Sequence, residues 1–270
     1  MNGHATSADG TVTSADGTVL AYDSYGDGPA VVLVNGAFGD RAHPTPAGVA
    51  AGLAPWFTVV NYDRRGRGGS GDTRPYAVER EIEDLAAVIG AAGGTAMVFG
   101  GSSGAALVLE AAARGLGITR VAVWEPPYHV DADAPPLPDD FAAQLDALVD
   151  AGRWEEAVER FMVEAAEVPA EAVAAMRADA SWAHLKGVAR TLAYEAAVLG
   201  PGNRLPAATL AAIAQPLLVL SGERSPRWMA GAARAVAAGV PGARHRVLEE
   251  QSHAVTPEAL VPELLEFFAR

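Results

Sequence analysis

A chain of 270 residues, half of them hydrophobic and a fifth charged, can bury a sizeable core and fits one large domain, or one domain carrying an insertion. Its formal net charge of −13 argues against nucleic acid as a partner, because phosphate binding needs clustered Lys and Arg, and it disfavours anionic membrane surfaces. With no cysteine there is no disulfide framework, no thiol nucleophile and no thiolate metal site.

Met1 to Asp9 lack the basic start and apolar core of a secretory leader, and no apolar run reaches membrane-spanning length, so a cytoplasmic protein is expected. The heptapeptide Thr6–Val12 is repeated unchanged as Thr13–Val19. Asp16-Gly17 supplies the positive φ of a tight turn, and Val19 to Tyr22 continue as a strand, so one copy suffices for a hairpin. The first copy is expected to be a frayed extension. Beyond Gly28, short apolar runs at Ala30–Val34, Phe57–Asn61, Ala96–Phe99, Val121–Trp124, Pro216–Leu220 and Arg244–Leu248 read as strands buried on both faces, as in a parallel sheet. Helical spacing of Val78, Ile82, Leu85 and Ile89, and of Leu260, Leu264 and Phe268, alternates with them. That alternation predicts a doubly wound α/β sheet.

From about Pro127 to Leu205 the pattern is helical only. Phe141, Leu145 and Leu148 mark one helix; Trp154, Val158, Phe161 and Met162 a second; Leu185, Val188, Leu192 and Leu199 a later one. The expected division is a core of residues 1–126 and 206–270, with a helical cap, or lid, of 127–205 inserted between the sixth and seventh strands.

The sharpest chemical signal is Gly100-Gly101-Ser102-Ser103-Gly104, between the strand Ala96–Phe99 and an Ala-rich helix ending near Gly115. A Gly-x-Ser-x-Gly turn at such a junction holds the serine in a strained conformation, while glycines on either side let strand and helix approach. The helix N-terminus then offers N–H groups to developing negative charge. As a bare match in a chain with 29 glycines, the motif is also compatible with a glycine-rich connector. The Asp63–Gly71 stretch suggests a phosphate loop, but no Lys-Ser/Thr follows, so it reads as a post-strand turn.

Taken with the Asp16-Gly17 hairpin, Val31-Val32-Leu33-Val34-Asn35-Gly36, Asp63-Arg64-Arg65-Gly66-Arg67-Gly68-Gly69-Ser70 and a late histidine before a C-terminal helix, this turn makes the chain resemble the α/β-hydrolase superfamily over nearly its whole length. The resemblance implies a mostly parallel eight-stranded sheet flanked by helices, with the nucleophile after the fifth strand. It assigns His253, between the last strand and a helix that Thr256 can cap with Pro257 at its first position, as general base. His4, His43, His129, His184 and His245 are read as surface or packing residues.

The acid departs from the commonest pattern. After the seventh strand, where the superfamily usually carries aspartate, stands Ser225, which with Pro226 reads as a helix cap. Glu125, at the end of the sixth strand, is the preferred acid, with Glu223 or no acid at all as alternatives. Haloalkane dehalogenases and zearalenone-type lactonases are similar in placing the acid there, and the latter share Ser102-Ser103-Gly104 and Glu125-Pro126. The resemblance also implies an oxyanion hole from the backbone N–H groups of Ala37 and Ser103, with Asn35 in place of the more usual histidine.

These readings lead to a serine hydrolase that cleaves a carboxylic ester or lactone through an acyl-enzyme, without metal or organic cofactor. The expected partner is a small apolar substrate contacted by Phe38, Trp154 and Trp182; a homo-oligomer stays open. The alternatives are cofactor-free lyase, cyclase or C–C bond hydrolase chemistry on the same scaffold, and a slow-turnover small-molecule receptor.

Overall fold

The apolar runs do form strands, with both faces covered in the centre of the sheet, whereas Arg244–Leu248 is an edge strand that is only part-buried, with Val247 exposed. The computed structural model describes residues 8–270. In it β1 (Ala8–Thr13), β2 (Val19–Tyr25), β3 (Ala30–Val34), β4 (Thr58–Tyr62), β5 (Ala96–Gly101), β6 (Ile118–Trp124), β7 (Leu217–Gly222) and β8 (Arg244–Leu248) form one sheet, ordered β1-β2-β4-β3-β5-β6-β7-β8. β1 and β2 pair antiparallel, as do β2 and β4; every pairing from β4 to β8 is parallel.

Strand alternation divides the core into two layers. Val32 and Val34 point to the layer that holds Leu85, Leu107 and Val236, whereas Val31 and Leu33 point to the one that holds Leu53, Leu260 and Phe267. The helices covering these layers are α1 (Pro44–Leu53), α2 (Val78–Ala91) and α3 (Ser103–Ala113), then, after a helical excursion, α9 (Ala207–Ala211), α10 (Arg227–Gly239) and α11 (Pro257–Phe268). Helices α2, α3, α9 and α10 face one layer; α1 and α11 face the other. Among the described residues no helix is long and apolar enough to cross a membrane.

The excursion between β6 and β7 contains α4 (Phe141–Asp150), α5 (Trp154–Arg160), α6 (Ala170–Met176), α7 (Trp182–Gly187) and α8 (Leu192–Leu199), which share their own apolar cluster around Leu145, Val158 and Leu192. The periodicity spanning Leu185 to Leu199 is not one helix. Gly187 weakens it, and the Thr191 hydroxyl donates to the Val188 carbonyl at 2.8 Å, competing for a helical acceptor, so a 3-10 turn separates α7 from α8. Likewise, the run beginning at Trp154 widens into a π turn at Phe161–Ala165.

The N-terminal repeat corrects one expectation. Rather than fraying, the first copy supplies Ala8 to Val12 of β1, with Val12 opposite Leu20, and Thr13 of the second copy ends the strand opposite Val19, so that β1 covers the edge β2 would otherwise expose. The second copy makes the turn, where Gly17 has φ 86° and Asp16 accepts from Thr18 N–H at 2.9 Å. Thr6 and Ser7 of the repeat lie outside the described residues.

Candidate active site

Register brings the chemistry to one edge of the sheet. Gly101 pairs with Trp124 and Trp124 with Leu220, so Ser102, Glu125 and Gly222 follow one another at the carboxyl ends of β5, β6 and β7. Ser102 adopts φ 54°, ψ −126°, a strained conformation for a side-chain-bearing residue, and its N–H donates to the Trp124 carbonyl at 2.8 Å. The flanking glycines have a steric reason. A Cβ on Gly100 would stand 2.6 Å from the Gly104 carbonyl oxygen, and one on Gly104 2.5 Å from that of Val34. Gly36 is equally constrained, because its Cβ would lie 2.9 Å from Ser102 Cβ.

Glu125 also has positive φ, at 42°, and its side chain is 0 % exposed. Its two oxygens divide their work: Oε1 accepts from Gly222 N–H at 2.7 Å, and Oε2 lies 2.7 Å from His253 Nδ1. A buried carboxylate needs such donors to offset its lost hydration. The loop carrying His253 is pinned from below, since Trp124 Nε1–H donates to the His253 carbonyl at 3.0 Å. Glu223, the other carboxylate weighed from sequence, points elsewhere: it is exposed and accepts from Glu250 N–H at 3.1 Å.

Ser102, Ser103, Ala37, Phe38 and His253 line one cavity of about 420 Å³. Ser103 is the first residue of α3, where a backbone N–H has no partner within its own helix. The Asn35 side chain, mostly buried, donates to Asn61 Oδ1 at 3.4 Å, and Asn35 belongs to the same cavity lining. Among the described residues no three His, Asp or Glu side chains converge as ligands for an ion.

Two expected contacts with substrate are misplaced. Trp154 is 43 % exposed on the outside of the excursion, where its Nε1–H donates to the Val149 carbonyl at 3.1 Å, and Trp182 is 5 % exposed within the excursion's own apolar cluster. Neither lines the cavity; Phe161, Leu199 and Met229 do, together with Phe99 and Trp124 of the sheet. Helical spacing identifies the face that a side chain shares, not whether that face meets a neighbouring helix or a void. The caps also differ from expectation. Pro226, not Ser225, is the N-cap of α10, and Thr256 sits at the N-cap of α11 without a side-chain bond there.

Sequence reasoning missed the role of the arginine-rich turn. Arg64, Arg65 and Arg67 are each 1 % exposed and turned inward. Arg64 makes a bidentate pair with Glu81 at 2.6 and 2.7 Å and reaches Glu195 of α8 at 2.8 Å, and Arg65 pairs with Asp84 at 2.7 and 2.8 Å. Arg67 pairs with Glu195 and donates to the carbonyls of Gly36 and Gly39, which bracket Ala37 and Phe38. The excursion is thus tied electrostatically to the loop beside Ser102. The sequence signal was present, in three arginines within four residues, but the partners lie in separate helices.

Three comparisons bear on identity. A family model described as "Alpha/beta hydrolase family" matches residues 31–259. The chain is 54% identical, over 96% of its length and 100% of the other, to an alpha/beta hydrolase from Sphaerobacter thermophilus DSM 20745, with a TM-score of 0.89. Among curated proteins, one from Bacillus subtilis (strain 168), "Uncharacterized hydrolase YraK", is 38% identical over 97 residues, which spans only 34% of this chain and 34% of that protein. The 2-hydroxy-6-oxo-6-phenylhexa-2,4-dienoate hydrolase of Rhodococcus sp. strain RHA1 shares the fold, with a TM-score of 0.68 at 21% identity over 98% of this chain and 100% of that one. With its sheet, its strained serine turn and a family match over most of its length, this chain belongs to the alpha/beta hydrolase family.

Proposed function

We propose that this protein is a serine hydrolase that cleaves a carboxylic ester or lactone through an acyl-enzyme intermediate. The observation that carries the reading is the conjunction of Ser102, at positive φ on the wall of a cavity, with His253 on the same wall and held at 2.7 Å by the buried Glu125.

In this mechanism His253 Nε2 takes the proton of Ser102 as Oγ attacks the substrate carbonyl. Glu125 keeps the other imidazole proton on Nδ1 and stabilises the imidazolium. The N–H groups of Ala37 and Ser103 hold the oxyanion, where one such donor contributes about 3 to 4 kcal/mol. His253 then returns the proton to the departing alkoxide. Water, deprotonated by the same histidine, adds to the acyl carbon, and as the acyl–Oγ bond breaks His253 returns that proton to Ser102 Oγ. No step calls on a cofactor. Glu125 as the acid would follow the arrangement of zearalenone-type lactonases, and residues 127–205 would act as a cap that shapes the substrate space, supported by Phe161 and Leu199 on the cavity wall.

A neutral organophosphate is the direct probe. Intact-mass analysis is expected to show one adduct on the wild-type protein and none on a folded Ser102→Ala variant, which should also lose ester cleavage. A folded Ser102→Ala protein that retains turnover would refute the reading. Incorporation of labelled solvent oxygen into a carboxylic acid product, with an alcohol as the other product, separates ester cleavage from lyase or C–C bond chemistry.

A further inference from the structure

The cavity wall restricts the charge that a substrate can carry. Among the described residues lining it there is no Asp, Glu, Lys or Arg, and its titratable members are His43 and His253. The cations behind the loop beside the nucleophile are already engaged: Arg64 and Arg67 are nearly inaccessible and bonded to Glu81, Glu195 and main-chain carbonyls. His43 Nδ1 accepts from Thr45 N–H, and burial, opposed by Asp40, holds its pKa below the ordinary value. The fixed charge behind His253 is negative, on Glu125.

We infer that the site takes neutral acyl groups and discriminates against acyl groups that carry a second carboxylate, an inference that rests on the ester or lactone hydrolase reading. A carboxylate entering this cavity would lose hydration without meeting a cation. A methyl or methylene group in the same place leaves water and gains contact with Phe38, Phe161, Leu199 and Met229. At longer range the net charge of −13 repels anions as well. The favoured reaction adds water across the acyl–oxygen bond of an uncharged ester or lactone to give one monocarboxylic acid and one alcohol, joined in a single hydroxy acid when the substrate is cyclic.

Three p-nitrophenyl esters of matched length test this on the whole protein: the pentanoate, the glutarate with a free terminal carboxylate, and the glutarate with that carboxylate methylated. The pentanoate and the methylated ester should be cleaved with similar kcat/KM, and the free glutarate at least ~100-fold less well, the size expected for an uncompensated buried charge. Met229→Arg, which sets a cation into the wall, should narrow the glutarate-to-pentanoate gap at least about tenfold. That ratio, read within one preparation, does not depend on the folded fraction. Comparable rates on free glutarate and pentanoate, with Ser102 labelled by organophosphate, would overturn the charge inference alone. A gap unchanged in catalytically competent Met229→Arg would also overturn it, by locating the rejection outside the cavity. No cleavage of any ester together with no labelling of Ser102 would overturn the hydrolase reading, and the charge inference with it.

Discussion

Replacing Glu125 by glutamine exchanges one oxygen for an amide nitrogen, which alters both the hydrogen bonding and the charge at His253. The new side chain can still accept from Gly222 N–H through its carbonyl, so the shape of the buried corner is kept. Its amide N–H groups, however, would face His253 Nδ1 at a distance now 2.7 Å, and a donor there favours the tautomer with its proton on Nε2. In the proposed mechanism Nε2 must be bare to accept the Ser102 proton. The lost charge adds to this: at about 4 Å and an effective dielectric of about 20, a unit pair contributes roughly 4 kcal/mol, or about a thousandfold in rate. Tautomer and charge together lead us to expect a loss of kcat approaching ~10⁴-fold with little change in KM. The assay is steady-state cleavage of one neutral ester, with folding checked by thermal melts. Glu223→Gln, whose carboxylate serves Glu250 N–H at the surface, should stay within about threefold of wild type, as surface changes usually do. A folded Glu125→Gln enzyme within about tenfold of wild type, beside a crippled Glu223→Gln enzyme, would refute the argument.

Gly104→Ala should cost about 1 to 3 kcal/mol by chemical denaturation, since its Cβ would meet backbone oxygens 2.5 and 2.7 Å away that cannot swing aside, while Gly101→Ala, with nothing within 4 Å, should melt near wild type. Glu195→Gln leaves Arg67 buried against main-chain carbonyls and Thr191, and should lower stability by about 3 kcal/mol. It should also reduce kcat, because Arg67 holds the carbonyls that bracket Ala37, a proposed oxyanion donor; a destabilised variant with unchanged kcat would separate the network from that role. His129, edge-on to Trp228 with its Nε2 buried and without a hydrogen-bond partner among the described residues, has its pKa lowered from 6.5 by burial. The folded state therefore favours neutral His129, a contribution present above pH 6.5 and lost as pH falls through the lower folded value. Across that window His129→Phe should lose less stability than wild type in pH-dependent melts; equal losses would show that His129 does not contribute.

The elements and the strained turn at Ser102 were legible because their information is local. Consecutive apolar residues at Val31–Val34 and Val121–Trp124, the Asp16-Gly17 turn and the glycines around Ser102 each report the conformation of their own few residues, and each was found where the pattern predicts it. Contacts between distant segments were not local. The carboxylate that meets His253 depends on the register that carries Trp124 beside Leu220 and turns Glu125 inward at positive φ, whereas Glu223, one strand over, faces solvent. Trp154 carries the right period for a helix face yet stands exposed, and Trp182 is buried in the excursion's own apolar cluster, because what a face meets is decided by how the helices pack. The inward turn of Arg64, Arg65 and Arg67 follows from acids on α2 and α8 that become neighbours only once those helices pack on the sheet. Periodicity along the chain determines whether a residue lies in a strand, helix or turn; its chemical partner is chosen by packing, where a buried charge is stable only if folding delivers its counter-charge.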